Sequence, residues 1–207
     1  MKRDEARYER AFKFLQDSEL NATQVEAGAA AIGTESLALI QGPPGTGKTR
    51  LLATVVSALT ARGCRIAFCA FTHRAVDNAL MALRAQAPDL KIFKLSSSSS
   101  ENRARMREAN IQLVDARRAR FPDKGCVVAG TCFQFAKLHE REQFHYAVFD
   151  EAGQLPIPHA LPGMLRSQRW LFFGDHQQLP PVVTTADADR GAAISIFELL
   201  HEHYGSS

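Results

Sequence analysis

Gly42-Pro43-Pro44-Gly45-Thr46-Gly47-Lys48-Thr49 follows the apolar run Leu37-Ala38-Leu39-Ile40 and leads into Arg50-Leu51-Leu52-Ala53-Thr54-Val55-Val56. The octapeptide fits G-x-x-x-x-G-K-[ST] at every fixed position, and it has the context that pattern requires, a strand before it and a helix after it. Glycine lets the backbone curl until successive N–H groups point inward at phosphate oxygens. A helix opening at Lys48 adds the positive end of its dipole. Lys48 can then reach the β- and γ-phosphates as a point charge, and Thr49 can offer its hydroxyl to Mg²⁺. The candidate contacts to ATP in this loop are Gly42, Pro43, Gly45, Thr46, Gly47, Lys48, Thr49 and Arg50.

Working outward, apolar runs and helical patterns alternate. Strands are expected at 37–40, 65–71, 91–95, 126–131, 146–149 and 170–173, with helices over 48–61, 74–87, 134–143, about 156–165 and 194–204. Residues 1–20 read as a charged amphipathic helix, and Asn21 is a good N-cap for a second one. Ser96 to Ser100 reads as a flexible surface loop. Residues 101–121, with Arg103, Arg105, Arg107, Arg117, Arg118 and Arg120, are helical in pattern and form, with the serine run, a flexible or inserted segment of about 96–121; the arginines read as a solvated face in preference to a nucleic-acid contact. Strands that alternate with helices in this way predict an α/β fold, a mostly parallel sheet with helices on both faces.

Two further strands end in chemistry. Tyr146-Ala147-Val148-Phe149 runs straight into Asp150-Glu151. In a parallel sheet the carboxyl ends of the strands open on the edge where phosphates bind. Asp150 is therefore the expected Mg²⁺ carboxylate and Glu151 the expected general base toward the attacking water. Phe172-Phe173 runs into Gly174-Asp175-His176-Gln177-Gln178-Leu179-Pro180-Pro181, where Gln178 is placed to sense the γ-phosphate. The expected catalytic set is Lys48, Glu151 and Gln178, and the expected metal ligands are Thr49 and Asp150.

These stretches, in this order, resemble the superfamily 1 helicases, and more narrowly the branch containing the nonsense-mediated-decay RNA helicase and senataxin. Leu20-Asn21-Ala22-Thr23-Gln24 resembles the Q motif of that family, Cys69 to Asn78 its motif Ia, Val128 to Cys132 its motif Ic, Asp150 to Gln154 its motif II and Gly174 to Pro181 its motif III. The resemblance spans about residues 20–200. It implies a P-loop NTPase of RecA-like fold, in which Gln24 contacts adenine, and Thr72, His73, Thr131 and Pro180 lie along single-stranded RNA or DNA. Thr72 and Thr131 also fit plain strand-end caps. The resemblance further implies a second RecA-like domain carrying an arginine finger. No segment after Tyr204 could form it, so residues 1–207 correspond to the first motor domain alone. A nucleotide-dependent binding module without motor action is the alternative.

The bulk composition fits this reading. The chain has 207 residues, 45% hydrophobic and 23% charged, with a net charge of +3, which permits a nucleic-acid partner without requiring one. No apolar run reaches the ~18 residues of a membrane helix, and the charged start lacks a signal peptide. An intracellular place is expected, cytoplasmic or, in a eukaryote, nuclear. Cys64, Cys69, Cys126 and Cys132 show no metal-ligand spacing and read as reduced thiols.

Overall fold

A computed structural model describes residues 2–43, 45–95, 100–175 and 194–204. Seven strands form one sheet: β1 (Leu37–Gln41), β2 (Arg65–Ala70), β3 (Lys91–Leu95), β4 (Gln112–Val114), β5 (Cys126–Thr131), β6 (Phe144–Phe149) and β7 (Ser167–Gly174). Their spatial order is β1-β7-β6-β2-β5-β3-β4, and every neighbouring pair is parallel. The helices are α1 (Glu5–Gln16), α2 (Ala22–Gly33), α3 (Lys48–Ala61), α4 (His73–Gln86), α5 (Ser100–Glu108), α6 (Cys132–Ala136), α7 (Ile157–Met164) and α8 (Ile196–Tyr204).

The two-residue period of the strands divides the core in two. On one face Ile66, Phe68, Ala70, Val127, Ala129, Tyr146, Val148, Leu171 and Phe173 pack with residues of α1 to α5. On the other, Ala67, Cys69, Val128, Ala147, Phe149 and Phe172 pack with α6, α7, α8 and Ala116 to Phe121. The rings of Phe149 and Phe172, at facing positions of β6 and β7, stack 4.6 Å apart. Both faces of the central strands are thus dry, which is why these strands read as unbroken apolar runs.

The arginine-rich segment differs from its expectation. Its helix is only α5 and stops at Glu108. Asn110 adopts the left-handed conformation at φ 52°, and the N–H of Ile111 donates to the carbonyl of Met106 at 2.8 Å. That six-to-one bond with Asn in the left-handed position is a Schellman stop. Ile111 and Met106 are both buried behind it. The chain then runs into β4, a seventh strand at the sheet edge. The helix expected over 134–143 is also shorter, beginning at Cys132 and ending at Ala136. The expectation for Ser96 to Ser99 lies outside the described residues.

Candidate nucleotide and nucleic-acid site

The carboxyl ends of β1, β7 and β6 meet at one cleft of about 410 Å³, lined by Gly45, Gly47, Lys48, Thr49, Asp150, Glu151 and Gly174. β7 lies between the strand that precedes the glycine loop and the strand that ends at Asp150. The N–H of Gly42 donates to the carbonyl of Gly174 at 3.1 Å, so the ends of β1 and β7 are joined at the cleft.

The loop has the form its residues call for. Gly45 and Gly47 both sit at φ 81°, in the left-handed region where a side chain would be strained. The Thr46 hydroxyl donates back to the Pro43 carbonyl at 2.7 Å, closing the turn. Gly47 caps α3, so the first N–H groups of that helix open on the cleft. The Lys48 ammonium donates to the carbonyls of Gly42 and Pro43, bridging the loop from within. Thr49 is exposed at the cleft wall. Arg50 is exposed and pairs with Glu19 at 3.5 Å.

Gln24 has a structural task that its sequence pattern hides. It closes a capping box with Asn21: each side chain accepts from the other residue's N–H, at 2.9 and 3.0 Å. Its Nε2 donates to the Thr46 carbonyl at 2.8 Å. A Cβ on Gly47 would come within 2.6 Å of that nitrogen. Gln24 therefore clamps α2 to the phosphate loop. The Asn21–Gln24 spacing was the sequence signal for the cap, but no local signal points to the bond across to Thr46.

Opposite the loop, the Asp150 N–H donates to the Cys69 carbonyl at 3.0 Å, and its carboxylate accepts from the Glu151 N–H, also at 3.0 Å. Burial pushes the Asp150 carboxyl up to about 6, against the pull of that N–H bond; the negative Glu151 adds to the rise and Lys48 opposes it. Glu151 is exposed and sits at φ 52°, left-handed for a non-glycine residue. Such strain collects at functional sites. The 3₁₀ turn Ala152–Gln154 then packs against the end of β7: a Cβ on Gly153 would lie 2.5 Å from the Asp175 carbonyl oxygen.

Among the sequence candidates for nucleic acid, Thr72 and His73 are exposed beyond the end of β2. The Thr72 hydroxyl accepts from the Ala75 N–H at 3.1 Å as the N-cap of α4. Thr131 ends the adjacent β5, in register with Ala70, and is buried. Its N–H and hydroxyl both face the Oε1 of Gln134, at 2.9 and 3.4 Å, and Gln134 in turn donates to the Leu95 carbonyl. Both threonines thus serve as caps, and the Thr131 side chain is buried. Gln178 and Pro180 lie outside the described residues. No helix among the described residues is long and apolar enough to cross a membrane.

A glycine loop, an acidic pair on the facing strand end and this strand order define a P-loop NTPase domain of the RecA-like α/β fold. The chain belongs to the family described as AAA domain, whose profile matches residues 19–120 and, overlapping, 91–186. It is 35% identical over 190 residues to the DNA replication ATP-dependent helicase/nuclease JHS1 of Arabidopsis thaliana, covering 90% of this chain and 14% of that protein. It is 33% identical over 211 residues to DNA2 of Saccharomyces cerevisiae (95% and 13%), and 30% identical over 198 residues to DNA2 of Homo sapiens (89% and 18%). The chain thus spans under a fifth of the length of these relatives. Among solved structures, the UvsW helicase from bacteriophage T4 superposes with a TM-score of 0.58 at 13% identity, covering 80% of this chain and 59% of that one. The Sulfolobus solfataricus SWI2/SNF2 ATPase core gives 0.51 at 16%, covering 76% and 32%. At such identities these two speak to the fold alone. Together with the helicase relatives, the motifs make this a RecA-like domain of superfamily 1 helicase type. The narrower resemblance to the nonsense-mediated-decay helicase and senataxin is not what these relatives carry; they are replication helicase/nucleases.

Proposed function

We propose that this chain is the ATP-binding first motor domain of an ATP-dependent helicase or translocase acting on single-stranded DNA, standing nearer the replication helicase/nucleases than the RNA-decay branch. One observation carries the proposal: three polar strand ends, those of β1, β7 and β6, converge on a single cleft that holds Lys48, Thr49, Asp150 and Glu151 together. The cleft suits Mg²⁺-ATP. It has left-handed glycines where a Cβ would be strained, an exposed helix N-terminus, one lysine and a desolvated carboxyl.

When bound, Mg²⁺-ATP supplies the phosphoryl group and its electrophilic character. The Gly45 to Thr49 backbone would cradle the phosphates, and Lys48 would exchange its carbonyl partners for phosphate oxygens. Thr49 and Asp150 would hold the metal. Glu151, at the cleft and exposed, would take a proton from the attacking water. Gln178 is proposed as the γ-phosphate sensor. Gln24 would reach adenine from its place beside the loop. Thr72, His73, Thr131 and Pro180 are proposed to follow the sugar–phosphate backbone, giving sequence-independent binding. A second RecA-like domain would complete the motor, and the relatives' names, which place them in DNA replication, favour a nuclear location.

The test is equilibrium binding of Mg²⁺-ATP, with hydrolysis measured with and without single-stranded DNA. Lys48→Ala is expected to abolish tight binding. Unchanged ATP affinity in that variant would overturn the assignment of the loop.

A further inference from the structure

Between β3 and β5 lie Arg103, Arg105, Arg107, Arg117, Arg118 and Arg120, and all six are exposed. Against them, residues 101–121 hold three acids, Glu101, Glu108 and Asp115, so the segment carries six positive charges less three negative, a surplus of three. Arg103 and Arg107 are one turn apart on α5 and so share a side of the helix. Both line a cleft of about 590 Å³ whose other lining includes Asn110, Gln112, Val114 and Asp115. This cleft shares no residue with the nucleotide cleft and lies toward the opposite edge of the sheet, at β4 rather than β1. Among the described residues of the lining Asp115 is the carboxylate, and its Oδ1 accepts from the Arg117 N–H at 2.8 Å.

Its position matters as much as its charge. All seven strands are parallel, so their carboxyl ends share one edge. Along that edge β2 delivers Thr72 and His73, its neighbour β5 delivers Thr131, then comes β3, and β4 leads into Asp115 to Arg118. Three strand spacings, roughly 14 Å, separate the end of β2 from the end of β4. The geometry points to a phosphate-binding extension of the nucleic-acid track. In it, Arg103 and Arg107, with Arg117 and Arg118 beside them, hold the backbone of single-stranded nucleic acid beyond the nucleotides held at Thr72 and Thr131. This rests on the nucleic-acid reading proposed above and adds a second binding surface to it. Exposed guanidinium groups on a polar cleft bind phosphate oxygens without reading bases.

Anisotropy titrations of the full chain on oligo(dT) of increasing length, over a range of salt, test the extension. The parent should gain affinity with length until the oligonucleotide reaches the cleft. Arg103→Gln with Arg107→Gln should bind short oligonucleotides like the parent, stop gaining at a shorter length, and keep Mg²⁺-ATP affinity. Its slope of log affinity against log salt should be shallower by about 1.4, at about 0.7 for each single-strand phosphate that the variant no longer neutralises. Lysine at both positions should restore the slope. Identical slope and length dependence in parent and glutamine variant would overturn the extension while leaving the track at Thr72 and Thr131 standing. A parent chain that binds Mg²⁺-ATP but no oligonucleotide at any salt would overturn both.

Discussion

Asp150 is held where its charge is costly. Its ordinary value of 3.8 rises to about 6, first because it is buried. The folded value lies above the unfolded one, so the folded chain holds that proton more tightly. The group's favourable contribution is complete below about pH 3.8 and is lost as the pH climbs through about 6. Above that the ionised carboxylate costs about 3 kcal/mol, at 1.36 kcal/mol for each pH unit. Asp150→Asn keeps an acceptor for the Glu151 N–H and removes the charge. The ligand-free variant should therefore melt higher at pH 7.5, by up to roughly 10 °C, with the gain gone near pH 4, while Mg²⁺-dependent hydrolysis is lost. Calorimetry at the two pH values checks this, and an equal gain at both would show that charge burial is not the cause. Gln24 supports the loop by a different route. Gln24→Ala removes the bond to Thr46 and half of the α2 capping box, at about 1 kcal/mol each. Chemical denaturation should show that loss, and isothermal titration should show ATP binding weakened several-fold. Weaker binding with unchanged stability would mean that Gln24 acts on the nucleotide directly rather than through the loop.

At the scale of elements, the strands that carry chemistry were legible because burial on both faces writes them as apolar runs ending in polar residues. β1, β6 and β7 with their strand-end motifs were readable for that reason. β4 was not. Three residues, Gln112 to Val114, leave too short a run for a period to show, and the arginines on either side mimic a helix face. The local cue was Asn110, a residue type suited to a left-handed stop, followed by the apolar Ile111. Contacts between distant segments had no sequence signal at all. The fit of the 3₁₀ turn after β6 against the end of β7 is one, since only the structure shows that Gly153 faces the Asp175 carbonyl. That fit yields a prediction: Gly153→Ala drives a Cβ into backbone that cannot rotate away. It should cost about 1–3 kcal/mol and shift both strand ends, slowing hydrolysis more than it weakens ATP binding. Stopped-flow binding beside steady-state turnover would separate the two. A folded variant with parental turnover would show that the two strand ends work independently.

For the molecule as a whole, the arrangement is one-sided: a sheet packed on both faces presents its nucleotide cleft and proposed nucleic-acid track along a single open edge. Among the described residues lining the cleft, Lys48 is the cation, while Asp150 and Glu151 face it. Arg50 adjoins the loop but is drawn toward Glu19. Phosphoryl transfer spreads negative charge over the equatorial oxygens, and a second cation at that point is worth about 10³-fold or more. The family resemblance implies that such an arginine comes from a second RecA-like domain, and the relatives are more than five times the length of this chain. The chain alone should therefore bind Mg²⁺-ATP well and turn it over slowly. Supplying the second motor domain, in trans or in the longer protein, should raise kcat by about 10³-fold with little change in ATP affinity. Substituting the added domain's arginine should return kcat to the slow value. Fast, DNA-stimulated turnover by this chain alone, rising with the square of its concentration, would instead show that a second copy supplies the cation.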